Sequence, residues 1–253
     1  MERTLRAYVL PTIAYVVLLE TMLVAALLYW PNFEENVGAL KAMAPIDMLK
    51  DMVDTLAQGG IEAYVVGQHF FKGCNTLGTA AAVLFAAGAV AGEVHRGTLE
   101  VWLARPFTRR RLLLERWIAG ALALSLPIFL TTWTTPFWLG FVDTEVALAP
   151  LMLCAVQQAM FLVALYSLTF FLSTVFDNPM GIALTVLFLT TLEFAIYLVK
   201  VVTHWSVYRL TDIEVYMKIM KRGELEPAKF WPLVAATGVF LVASLVSFSR
   251  RVP

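Results

Sequence analysis

The chain has 253 residues, 60% of them apolar or aromatic and only 15% charged, with a mean hydropathy of +0.74. That is more apolar side chain than one water-soluble core can bury, and it excludes disorder, collagen-like repeats and a disulfide-rich secreted scaffold. Nineteen Lys and Arg offset nineteen Asp and Glu, so the net charge of zero carries no information until the charges are placed along the chain.

A membrane helix needs about 20 apolar residues. Six stretches qualify: 8–30, 76–91, 112–141, 146–176, 179–202 and 230–248. An all-α membrane protein of six spans follows. The first stretch is preceded by Arg3 and Arg6, but it is longer than a signal-peptide core and carries Pro11 and Glu20, so it reads as an uncleaved helix. The third and fourth exceed the hydrocarbon thickness, which calls for tilt or for a kink at Pro127 or Pro136. Six spans put both termini on one side.

Charge placement assigns that side to the cytoplasm. With the N-terminus inside, ten arginines, among them Arg96, Arg105, Arg109, Arg110, Arg111 and Arg116, face five acids on the inner segments, a balance of +5. Outside, nine cations face twelve acids, a balance of −3, and Glu20 and Glu193 within the spans supply the remaining −2. The inner cations are packed into short loops at span ends, where the positive-inside rule is strongest. The short basic run Arg109 to Arg111 suits anionic lipid headgroups rather than nucleic acid.

Two outer segments, 31–75 and 203–229, are long enough to fold. In the first, Ile46, Leu49, Val53, Leu56 and Ala57 share a helical face; Gly59-Gly60 breaks that helix, and a second runs through Tyr64 to Phe71. The second segment is also amphipathic and ends at Pro227. Each serves either as a cap on the membrane surface or as a docking surface for an extracytoplasmic partner. Cys74 and Cys154 suggest no disulfide framework. His69, His95 and His204 are too scattered for a metal centre or a catalytic triad, His95 being inside and the other two outside.

The most informative stretch joins the second and third spans. Gly97 permits a turn, Thr98 can cap the following helix, and Pro106 biases Arg105 away from helical geometry, giving a helix over about 97–105. Leu99, Trp102 and Leu103 at i, i+3 and i+4 form one apolar ridge facing water. Such a ridge either enters a groove on another protein or lies at the interface with Trp102 among headgroups.

Glu93, then Arg96-Gly97-Thr98-Leu99-Glu100, then Leu103-Ala104-Arg105-Pro106 and the basic run into the third span resemble the motif of ABC-2 type transporter permeases. The motif falls between spans two and three, where that family has it. The resemblance implies a coupling helix seated in a groove of a separate nucleotide-binding subunit, with Glu93, Gly97, Thr98, Leu99, Glu100, Trp102, Leu103 and Pro106 at the contact. It also implies a dimer with a second permease copy or paralogue, and transport in the export direction. Many such permeases begin with a longer connector helix, whereas here Met1 to Ala7 precede the first span. No Gly-x-x-x-x-Gly-Lys-(Ser/Thr) occurs in this chain, so ATP and magnesium are expected on the partner and no cofactor on this one.

Within the spans, Glu20 lies near the midplane and Glu193 equally deep, where a charge costs at least about 2.5 kcal/mol and needs a partner or a cavity. With Gln157 and Gln158 they are either interhelical ties or the polar lining of a pathway. Gly88 and Gly92 form a G-x-x-x-G face that permits close helix packing. Two other classes use the same spans: a membrane scaffold or assembly factor driven mechanically by an ATPase partner, and an ion-coupled secondary carrier using Glu20 and Glu193.

Overall fold

A computed structural model describes the backbone of residues 2–104 and 107–250, and the side chains of these residues except 2–6, 102 and 103. It is all-helical, with no strand among the described residues. Six helices are long and apolar enough to cross a membrane: Ala7–Leu28, Gly60–Ala87, Arg109–Val142, Leu148–Val175, Pro179–Leu198 and Pro227–Arg250.

The first span lies in α1 (Glu2–Leu28), which passes Pro11 without a break, so the residues before the span extend it. Three short helices follow: α2 (Trp30–Glu35), α3 (Val37–Met43) and α4 (Asp47–Gln58). The helix α4 ends where expected, because Gly60 takes a left-handed backbone, φ +62°, that most side chains would resist. Its buried residue is Leu56, with Met48 and Met52 packed beside it, and Ile46 is exposed instead of sharing the buried face.

The second span differs most from its expected bounds. Instead of starting at 76, it runs from α5 (Gly60–Val65) through a π-helical stretch, Val66–Gly78, into α6 (Thr79–Ala87). What read as a second outer helix is the beginning of this span, and His69 lies within it. The reason is burial: 72% of its most apolar 18 residues are inside the protein, against 17% for the first span, so polar residues such as His69, Asn75 and Thr79 are shielded by neighbouring helices.

After a break come α7 (Ala91–His95) and α8 (Leu99–Leu103), then the third span in α9 (Arg109–Leu139), which continues through Pro127 and Pro136. The last three spans are α10 (Leu148–Val175), α11 (Pro179–Leu198) and α13 (Pro227–Arg250). Between the last two, α12 (Ile213–Arg222) closes on Gly223 at φ +66°. It packs on the protein through Tyr216 and Ile219, both fully buried, and is therefore a docked element of the fold.

Helix α10 is the centre of the bundle, packed against α9, α13, α6 and α12. Glycine sets the closest approaches: a Cβ on Gly120 would run into the Tyr166 ring, and one on Gly78 into Leu162 and the Tyr15 hydroxyl. Among the described residues, Gly88 and Gly92, expected to form a packing seam, meet no neighbouring helix of this chain. A Cβ on Gly88 would meet nothing within 4 Å, and on Gly92 only the Arg96 side chain at 3.8 Å, because α6 ends at Ala87 and the two glycines never share a helix.

The start of α1 and the end of α13 lie at the same end of the bundle as the hairpin that carries α7 and α8. Tyr8 donates to the Phe85 carbonyl, Ser247 donates to the Thr174 carbonyl, and Ser173 reaches the start of α7. This is called the hairpin end below and the other the distal end. Exposed apolar side chains such as Leu10, Val17, Leu126, Phe137, Phe188 and Val242 cover the outside of the bundle, as a hydrocarbon solvent requires.

Candidate functional site

The hairpin is built from a helix that breaks, turns and is tied down. Where α6 stops, the backbone leaves groups unpaired, and one hydroxyl from the central helix satisfies three of them. Ser173 Oγ donates to the Ala87 carbonyl at 2.9 Å and accepts from the Val90 and Ala91 amides at 2.9 and 3.0 Å. From the other side Arg116 of α9 donates to the Ala89 carbonyl at 2.6 Å and to Glu93 Oε1 at 2.7 Å. The break is thus held by α9 and α10 together.

The turn after α7 is equally determined. Gly97 stands at φ +66°, its amide bonds the Val94 carbonyl at 2.9 Å, and the Thr98 amide bonds the Glu93 carbonyl at 2.9 Å. That pair of bonds is the Schellman arrangement, which favours glycine at the left-handed position. Thr98 does not cap α8 with its side chain; its hydroxyl donates to Glu93 Oε2 at 2.5 Å. Glu93 therefore gathers Thr98, Arg116 and Arg96, the last at 3.2 Å. Its burial opposes ionisation, but the Thr98 hydroxyl and the Arg116 guanidinium outweigh it, and the carboxyl sits below its ordinary value.

These contacts change the expected roles. Glu93, Gly97 and Thr98 shape the hairpin from within. Leu99, expected on an exposed ridge, is only 6% exposed and belongs to the core, because the turn at Gly97 points the first residue of α8 inward. Glu100 is exposed, and among the described side chains of α8 Val101 is the outward apolar one, 71% exposed. The helix is five residues long, little more than one turn, against the longer one expected. The side chains of Trp102 and Leu103, and Pro106 altogether, lie outside the described residues. At the start of α9, Arg111 sits 4.6 Å from the Phe107 ring centre and bonds Glu115 at 3.0 Å.

The intramembrane polar residues make interhelical ties. Glu20 accepts from Thr134 Oγ1 at 2.8 and 3.0 Å and from Trp138 Nε1 at 2.6 Å, joining α1 to the distal part of α9. It lies about 12 Å from the distal end of α1, within about one helical turn of the middle of the span. Glu193 is shallower: its carboxylate accepts from the Val207 amide at 3.1 Å and its carbonyl from Ser206, because the chain after α11 folds back over the helix end.

Gln157 and Gln158 are fully buried. Gln157 donates to the Leu210 carbonyl at 2.9 Å. Gln158 donates to Asn75 at 2.9 Å and accepts from the Tyr216 hydroxyl, and Asn75 donates to Thr211 at 3.3 Å. Together they anchor α12 and its preceding turn to the bundle. Sequence reading missed His69, whose Nε2 lies 3.1 and 3.3 Å from the Thr132 and Thr131 hydroxyls of α9. Its signal was weak, since a lone histidine among polar neighbours reads as loop.

The six apolar helices and the polar ties between them define a multi-pass membrane protein. Over residues 3–251 the chain matches the sequence profile described as ABC-2 family transporter protein, and it belongs to that family. It is a permease component of an ABC transporter, the membrane part rather than the ATPase, and membership implies an ATP-binding partner subunit. No curated protein matches the chain by sequence.

Proposed function

We propose that this permease exports its substrate by taking force from a separate nucleotide-binding subunit at the 88–108 hairpin, working as a dimer with a second copy or a paralogue. The hairpin end is cytoplasmic in this reading, in keeping with the arginines concentrated there. ATP-driven closure of the partner subunits moves α8, and the bundle follows.

The observation that carries the proposal is the double anchoring of the hairpin. A surface element meant to transmit displacement must be exposed at its tip and rigid at its root. Glu100 and Val101 supply the exposed tip, while Arg116 and Ser173 fasten the root to α9 and α10. Glu20 and Glu193, the acids an ion-coupled carrier would use, are engaged by local donors, which favours ATP-driven work over ion coupling.

Contact with the ATPase then rests on Glu100, Val101 and Trp102, with Glu93, Thr98 and Leu99 positioning them. Glu100→Lys and Trp102→Ala are expected to lower co-purification of the ATPase about tenfold or more while insertion and elution volume stay unchanged. Undiminished co-purification of both variants removes the proposed contact.

A further inference from the structure

A cavity of about 440 Å³ opens between the second span and α11, within the usual range for a small-molecule site. Its level in the membrane follows from its neighbours. At the outer end Phe71 packs on Phe194 and Tyr197, close to the distal end of α11. At the inner end lie Ala80 and Leu187. Phe194 to Leu187 is about 10 Å of helix, and α11 itself is about 30 Å long. The cavity thus begins at the distal membrane boundary and reaches about a third of the way through the hydrocarbon.

Its polarity is graded along that depth. At the mouth, Lys72 is exposed and its Nζ donates to Gln68 Oε1 at 3.3 Å. Among the described residues no acid lines the cavity, and no carboxylate pairs with Lys72. Below it Thr76, Thr79 and Thr190 supply hydroxyls. Thr190 spends its proton on the Val186 and Leu187 carbonyls, and Thr79, only 6% exposed, has the Tyr208 hydroxyl beside it. Asn75, Thr191 and Tyr208 also line it, and the remaining walls, Met52, Leu56, Phe71, Leu187 and Phe194 among them, are apolar.

An ammonium without a counter-charge at a membrane boundary, above an apolar slot, is complementary to one kind of ligand. A cationic head would be repelled, and a free anion would leave the slot empty. We propose that this cavity binds an amphiphile with a phosphate or carboxylate head, the head on Lys72 and Gln68 and the alkyl chain running down toward Ala80 and Leu187. Binding here requires no nucleotide-binding subunit, so it goes beyond the coupling at the hairpin.

The test uses the full chain in neutral maltoside micelles, with bound ligand counted by native mass spectrometry. Dodecyl phosphate is expected to saturate one site per chain, at least about tenfold more tightly than dodecyltrimethylammonium or inorganic phosphate. Lys72→Gln lowers its affinity about tenfold, the loss of a charge-assisted hydrogen bond, and Lys72→Arg retains it. Ala80→Phe, which fills the inner end, abolishes binding with elution volume and thermal transition unchanged.

Inorganic phosphate binding as tightly as dodecyl phosphate would overturn an amphiphile in favour of a soluble anion. Equal affinity for the cationic amphiphile, or an unchanged Lys72→Gln variant, would overturn the site. Failure here with ATPase co-purification intact removes the amphiphile and leaves the hairpin reading standing; loss of co-purification with dodecyl phosphate still bound does the reverse.

Discussion

Arg116→Ala is expected to uncouple ATP hydrolysis from the permease without displacing the protein from the membrane. Arg116 is 17% exposed and Glu93 14%, so removing the cation leaves a mostly buried carboxylate without its main charge partner and the Ala89 carbonyl without its donor. A fully buried pair broken on one side loses about 3–5 kcal/mol, and partial exposure reduces this to about 2–3 kcal/mol. That loss falls on a hairpin whose other hold on the bundle at the break is Ser173.

The same cluster gives a pH dependence with a definite sign. Because the folded Glu93 carboxyl titrates below its ordinary value, its contribution is complete above the ordinary carboxylate range and is lost as pH falls through the lower folded value. A nitroxide on Val101→Cys reads this directly, since Cys74 and Cys154 are buried and leave the exposed site to the label. The spectrum should be immobilised at neutral pH and loosen only on acidification below the ordinary carboxylate range. In Arg116→Ala the loosening should begin at higher pH. A label equally mobile at every pH would mean that Glu93 does not hold the hairpin.

The second large effect lies in the bundle itself. Gly120→Val is expected to prevent α9 and α10 from closing, because even a Cβ at 120 would run into the Tyr166 hydroxyl and ring. Tyr166 is fully buried in the main core and its hydroxyl donates to the Arg116 carbonyl, so it has no free rotamer to yield into. Overpacking of this kind costs about 1–3 kcal/mol, more where neighbours cannot shift. Detergent-solubilised Gly120→Val should aggregate or melt well below the parent chain. A second substitution, Tyr166→Ala, should recover part of the loss by opening the space, and no recovery would argue that the clash is elsewhere.

The bundle was legible wherever lipid is the solvent. Long apolar runs mark α1, α9, α10, α11 and α13 to within a few residues, because exposed helix faces must be apolar along their whole length. The second span obeys a different rule. Packed among other helices over much of its surface, it carries the buried His69 and Asn75 and, at the cavity mouth, Gln68 and the exposed Lys72, and the mean hydropathy of its most apolar 18 residues is 1.2, against 2.0 for the first span. Hydropathy therefore finds only its inner half.

Partners across the chain were illegible for a related reason. Sequence says that Glu20 needs a donor, but the donors are 114 and 118 residues away. The hairpin motif was readable as a motif, including the turn at Gly97. Its internal use of Glu93 and Thr98 was not, since only folding brings Arg116 and Ser173 against it. Gly88 and Gly92 show the limit of pattern reading, because an i, i+4 pair of glycines means close packing only if the helix continues through both.

A photoreactive amino acid at Val101 tests the account most directly. The exposed position lies at the tip of α8, and the reaction is run in native membranes with azido-ATP added to label nucleotide-binding chains. The expected product is a cross-link from position 101 to an ATP-labelled polypeptide, lost when the same group is placed at Val239, on the outward face of the sixth span. Cross-links at 101 to lipid alone, with no ATP-labelled partner, would contradict the hairpin as the point where the ATPase drives this permease.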